Sequence, residues 1–170
     1  PRISFCKFQY VTGESHHVFG RAYLLQVLLG PRDEAGISSG GELQLVLRTK
    51  QSNREAIFKE GMKRILLGEI EKQLEIWTER MAIPESRITG VTIRVMKSRW
   101  GSCRRVTGRF SVALDLVTKP KECIEAVVVH ELCHLFAAGH GADFYARMET
   151  YLPDYKERDR LLASLPRELI

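Results

Sequence analysis

Three of the chain's five histidines fall between positions 130 and 140, in the segment Val129-His130-Glu131-Leu132-Cys133-His134-Leu135-Phe136-Ala137-Ala138-Gly139-His140. On an α-helix, residues four apart lie about 40° apart in projection and one turn along the axis. His130 and His134 can therefore grip one ion from a single face. Imidazole suits zinc, and a catalytic zinc site wants three protein ligands with one position left for water. His140 is the candidate third ligand, brought round by a turn at Gly139 that ends the helix. Glu131 sits on a flank of the same face, where a carboxylate is placed to take the proton of an attacking water as general base. The plain alternative is a helix with two surface histidines. It is weakened by the third histidine and by the valine run at 127–129, which marks the segment as buried. The expected chemistry is hydrolysis by metal-activated water with Zn2+ as cofactor, although the same donors also accept nickel, cobalt and iron.

Such a site needs a rigid base. A helix is predicted from about Thr118, with Pro120 in its first turn, through the histidines to about Gly139. Three successive valines are poor helix formers, so burial must hold this segment helical. Two further short helices are predicted at Asp143–Leu152 and Tyr155–Leu165, on either side of Pro153, with Met148 as core. Ahead of the site, Phe58, Met62, Ile65, Ile70, Leu74, Trp77 and Met81 recur at helical spacing. They predict a long helix from Arg54 to Met81, capped by Ser52 or Asn53. Strands are predicted at Tyr23–Leu29, Glu42–Arg48, Val91–Met96 and Arg109–Leu114. The first two read as a β-hairpin around a polar, glycine-rich loop at 32–41. The last two are joined through a loop holding Trp100-Gly101-Ser102-Cys103. This order of elements predicts an α+β fold: a small, mostly antiparallel sheet with the long helix and the histidine helix packed on it.

A chain of 170 residues fits one domain, 1–170, with a hairpin region (1–50), a long helix (51–90) and a catalytic core (91–170). No apolar run reaches the length of a membrane span. The opening PRISFCKFQY lacks the basic-then-apolar pattern of a signal peptide. Cys6, Cys103, Cys123 and Cys133 form no C-x-x-C pair, which favours a reducing, cytoplasmic setting. The balance of 26 Lys plus Arg against 21 Asp plus Glu is mildly basic, and reads mainly as a solvated surface. His16-His17 reads as an exposed hairpin feature, since metal sites seldom use adjacent histidines.

The stretch from Ser98 to Leu162 resembles the YgjP-like metal-dependent hydrolase or metallopeptidase family, relatives of the SprT-like and WLM zincins. The residues that carry the resemblance are Arg99–Cys103 (RWGSC), RFSVALDLV, VVVHELCH, Gly139–Tyr145 (GHGADFY) and Leu152–Tyr155 (LPDY). The resemblance implies a zincin-like fold, a zinc site at His130, His134 and His140, and a catalytic Glu131. One departure is Ser111, where the family usually has Asn. Another group, the metzincins, shares the histidine spacing but wants Gly where Ala137 stands.

Around this site, Trp100, Gly101, Ser102 and Arg99 are candidate substrate-binding residues, because zincins hold extended substrate on a strand beside the active helix. A turn with a packed Trp explains Trp100–Cys103 equally well. Tyr145 is a further candidate, although packing of its helix explains it, and Tyr155, more economically. Cys103 and Cys133 read as structural. Arg99, Arg104, Arg105 and Arg109 read first as solvated turn charge, and second as a clamp for phosphate or nucleic-acid backbone. The expected partners are a peptide or protein substrate, or a nucleotide if the water attacks a phosphoanhydride. The remaining alternative, from the resemblance to SprT-like and WLM proteins, is a non-catalytic, DNA-associated module with a structural zinc and weak nucleic-acid contact through the arginines.

Overall fold

A computed structural model describes residues 8–167. Its longest element is α1 (Arg54–Arg80), against which elements from both halves of the chain pack. Asn53 caps it, its side chain accepting from the Ala56 N–H at 3.0 Å, with Glu55 in the first turn and Arg80 in the last. The buried residues Phe58, Met62, Ile70, Leu74 and Trp77 follow the predicted stripe, but Leu66 takes the fully buried place expected for Ile65, which is half-buried. Beyond Met81, Ala82 adopts φ +51 and turns the chain away.

The described strands form three small sheets rather than one. β1 (Ser15–Val18) and β2 (Arg21–Leu24) make an antiparallel hairpin. β3 (Gln26–Leu29), β4 (Glu34–Ile37) and β5 (Leu43–Leu47) lie in the order β3-β5-β4. β6 (Gly90–Arg94), β7 (Gly101–Arg104) and β8 (Arg109–Ala113) lie in the order β6-β8-β7. In each of the larger sheets the central strand has one parallel and one antiparallel neighbour. Gly61 matters here, because a Cβ on it would fall 2.3 Å from the Ala35 carbonyl oxygen. Only glycine lets α1 lie this close to β4.

Several expectations are corrected. The strand expected over Tyr23–Leu29 breaks at the fully buried Leu25, whose N–H and C=O bond to Glu14 and Gly13. Its first half pairs with β1 and its second with β5. The segment read as a polar loop holds β4, and β3 and β5 run parallel instead of forming a hairpin. Alternation with period two marks a strand but not its direction, and Ala35 is the only buried side chain of β4. The loop expected at Trp100–Cys103 contains β7. His16 is not exposed: it is 3% accessible, bonded to Glu14 at 2.9 Å and packed on Phe58, while its neighbour His17 turns to the other face.

After β8 comes a fully buried 3-10 turn, Leu114–Thr118, followed by α2 (Lys121–Cys133), α3 (Ala142–Tyr151) and α4 (Tyr155–Ser164). α2 is shorter than expected at both ends. Pro120 caps it instead of lying inside it, and the chain leaves it after Cys133 through tight turns to Ala137. Nine of its residues are buried, from Cys123 to Cys133, which explains how a valine run stays helical. Polar links fix it on two sides. Lys121 meets Glu69 of α1 at 2.6 Å, and Trp77 Nε1 donates to Glu125, which also binds Arg158 of α4. Met148 is buried, as expected. Among the described residues no helix is long and apolar enough to cross a membrane.

Candidate metal centre

α2 and the turn after it bring His130 and His134 together edge-on, their Nε2 atoms 3.2 Å apart. His140 arrives from the connection to α3, with its Nε2 3.1 Å from that of His130. The three ligand atoms lie within 4.8 Å of one another. An ion with tetrahedral bonds of about 2.0–2.1 Å would hold its nitrogens roughly 3.3–3.4 Å apart, so rings meeting nitrogen to nitrogen at this spacing fit a shared cation. The Nδ1 of His134 lies 3.3 Å from the Ala137 carbonyl oxygen. That oxygen can only accept, so Nδ1 carries the proton and Nε2 presents its lone pair. Burial, and then the charges of His134 and His140, bring His130 down to about 4. Burial chiefly also holds His134 below the usual imidazole range. Both rings are therefore neutral at neutral pH, the form that binds a metal.

Beneath the three rings lies Phe144 of α3, 1% exposed, with its ring centre 4.9 Å from His130, 4.8 Å from His134 and 4.7 Å from His140. Sequence reasoning missed this residue as part of the site. Its helical spacing marks it as core, which it is, but only the tertiary fold shows that it forms the floor under all three imidazoles.

Glu131 shares this space and is 7% exposed. Burial pushes its carboxyl up to about 7, opposed by the backbone N–H of Cys103 and the charge of Arg99. β7 passes directly over it. A Cβ on Gly101 would sit 3.0 Å from Glu131 Oε1 and 3.0 Å from Val127 Cγ1.

A cleft of about 650 Å³ joins these groups. Its walls include the three histidines, Glu131 and the residues Arg99, Trp100, Gly101, Ser102 and Cys103. The two readings of Trp100–Cys103 thus combine, since the segment lines the cleft and Trp100 is also packed, beneath Arg167. Of the arginines, Arg99 and Arg105 line the cleft; Arg104 and Arg109 do not. Tyr145 stands outside it, 44% exposed, with its ring 6.4 Å from those of His140 and Tyr155. The wall also includes Ala126, Val127 and Ala138, together with Asp159 and Leu162 of α4. No sequence signal marked these residues. Burial pushes the thiols of Cys103, Cys123 and Cys133 up to about 11, which favours the protonated thiol over the nucleophilic thiolate at neutral pH.

Comparison with solved structures places the fold. The crystal structure of the metallopeptidase zymogen of Pyrococcus abyssi abylysin superposes with a TM-score of 0.51 and 24% identity, over 59% of this chain and 99% of that one. The metallopeptidase zymogen of Methanocaldococcus jannaschii jannalysin gives 0.49 and 21%, over 55% and 93%. Abylysin shares the α+β, zincin-like fold. Among curated proteins nothing matches. The family model described as "YgjP-like, metallopeptidase domain" matches residues 4–165, nearly the whole sequence, and the chain belongs to that family.

Proposed function

We propose that this chain is a zinc-dependent peptidase with His130, His134 and His140 as metal ligands and Glu131 as general base. The observation that carries the reading is the meeting of three Nε2 atoms, 3.1–3.2 Å from the central one, in a cleft that also holds a nearly buried carboxylate. A divalent ion held there supplies Lewis-acid activation of water and of a carbonyl. Glu131 would accept the proton of the attacking water and return it to the leaving amine. β7 supports a peptide as substrate. The Ala113 N–H donates to the Trp100 carbonyl at 2.9 Å, and the antiparallel register then turns Ser102 and Arg104 toward β8. The backbone groups of Gly101 and the carbonyl of Cys103 are turned away from β8 on the cleft side, where an extended chain could pair with them, while the Cys103 N–H is taken by Glu131.

The test is cleavage of unstructured peptides by protein prepared with and without one equivalent of zinc, beside Glu131→Gln. Cleavage that needs the metal and Glu131 supports the reading; metal-independent or Glu131-independent cleavage removes it. Arg99 and Arg105 in the cleft wall favour one second reading, hydrolysis of a nucleotide phosphoanhydride. Phosphate release from nucleoside triphosphates without peptide cleavage would select it.

A further inference from the structure

Arg167 lies two residues past the end of the family match, yet its guanidinium reaches back to the rim of the cleft. We propose that Arg167 is a positioning residue that clasps the segment Lys97–Trp100 and so fixes the start of β7 over Glu131. Its Nε donates to Asp115 Oδ2 at 2.6 Å, and its two terminal nitrogens donate to the carbonyls of Lys97 and Arg99 at 2.7 Å each. The guanidinium carbon lies 4.1 Å from the centre of the Trp100 ring. A planar fork with donors in fixed directions can hold two carbonyls and a carboxylate while stacking on an indole, which an ammonium cannot do.

The anchor is firm. Asp115 is 5% exposed and belongs to the buried 3-10 turn, so the clasp ties an exposed loop to the core. A second tie holds the clasp itself: the ammonium of Lys119, 2% exposed, donates to the Pro166 carbonyl and lies 5.9 Å from the same Trp100 ring. Two residues beyond the Arg99 carbonyl is Gly101, which touches Glu131 and Val127. The Lys97–Trp100 segment contains no strand or helix, so these bonds take the place of a sheet in fixing it.

The kinetic part of this proposal rests on the peptidase reading; the structural part does not. In metal-free protein, Arg167→Ala should change the emission of Trp100, a change that vanishes in a Trp100→Phe background because Trp77 is the only other tryptophan. Amide exchange of residues 97–101 should rise by roughly tenfold or more while α1 and α2 keep their protection. With zinc and a peptide, KM should rise by roughly tenfold, kcat should stay within about threefold, and zinc affinity should not move. Arg167→Lys, which keeps the charge without the fork, should stay nearer to Ala than to wild type and gives a milder variant if Ala folds poorly. Unchanged Trp100 emission and unchanged local exchange would overturn the clasp, as would protection lost evenly across the fold. If wild type cleaves no peptide, the peptidase reading fails, and the emission and exchange measurements still decide the clasp.

Discussion

Gly101 and Glu131 touch: the missing side chain of the first leaves just enough room for the carboxylate of the second, since a Cβ would stand 3.0 Å from Oε1 and 3.0 Å from Cγ. Gly101→Ala therefore tests the site without altering any charged group. Val127 lies one turn before Glu131 on the same face of α2, so the added methyl meets both side chains and must push β7 or one of them away. The variant should keep its zinc and lose roughly tenfold in kcat/KM, since the contacts need a shift smaller than the ~1 Å that costs about 100-fold. Metal content and peptide kinetics, measured together, check this.

Glu131→Gln should separate metal binding from turnover. The amide preserves shape but cannot take a proton, so kcat should fall by about 10²–10⁴ with zinc stoichiometry unchanged. A neutral group also suits a 7%-exposed site, so thermal stability should not drop. A variant that retains near-normal kcat would show that another group is the base.

The exposed His140 makes the third contact from outside α2. Zinc added at about a thousandfold over its Kd should stabilise the protein by about 4 kcal/mol. His140→Ala should abolish most of that gain while leaving the metal-free melting temperature within a degree or two. Differential scanning calorimetry with and without zinc, and with a chelator, gives the comparison.

Phe144 predicts a split between stability and affinity. Phe144→Ala empties a fully buried volume and should cost about 3–5 kcal/mol. Phe144→Leu keeps most of that volume but removes the ring that stacks on His134 and meets His130 and His140 edge-on. It should cost less than about 1.5 kcal/mol, yet weaken zinc binding by roughly tenfold or more, as loss of supporting contacts around a metal typically does. Competition with a chromophoric chelator measures the second effect.

Glu69 sets part of the acid limit of stability. Burial alone would raise its carboxyl, but hydrogen bonds from Lys121 and Gln73 and the charge of Lys121 hold it below the usual carboxylate range. A depressed carboxylate stabilises the fold above its unfolded-state value, and that contribution fades as pH falls through the lower folded-state value. Lys121 is 51% exposed, so screening limits the pair to about 1 kcal/mol. Urea midpoints measured from pH 7 down to pH 3 should fall more gently for Glu69→Gln than for wild type.

The three-histidine cluster was legible because its rule is local. His130 and His134 need only helical spacing, and Gly139 signals the turn that returns His140. The stripe on α1 was legible for the same reason. β4 was hidden because a strand with only Ala35 turned inward, in a run with Gly36 beside it, carries no alternation to read. β7 was hidden because it is a four-residue edge strand that begins with glycine and ends with an exposed arginine. The parallel pairing of β3 with β5 depends on where β4 goes, which no residue in either strand encodes. Period two did contain the burial of His16, two positions before the inward Val18, but the adjacent His17 masked it. The contacts of Phe144 with His130 and His134, and of Arg167 with Lys97, Arg99 and Asp115, join residues far apart in the sequence and belong to the tertiary fold alone.

α2 leaves almost no side chain facing solvent, and its polar links to α1 and α4 fix it from two directions. That arrangement bears on how such a scaffold can diversify. Nearly any exchange along this helix disturbs packing or chemistry, so inherited variation in selectivity has to accumulate elsewhere. The candidates are the exposed stretch at 104–107 and the exposed positions 138, 139 and 141 that flank the ligand His140, where side-chain swaps meet few neighbours. Engineering a new preference should begin with libraries at those rims and leave the central rod untouched.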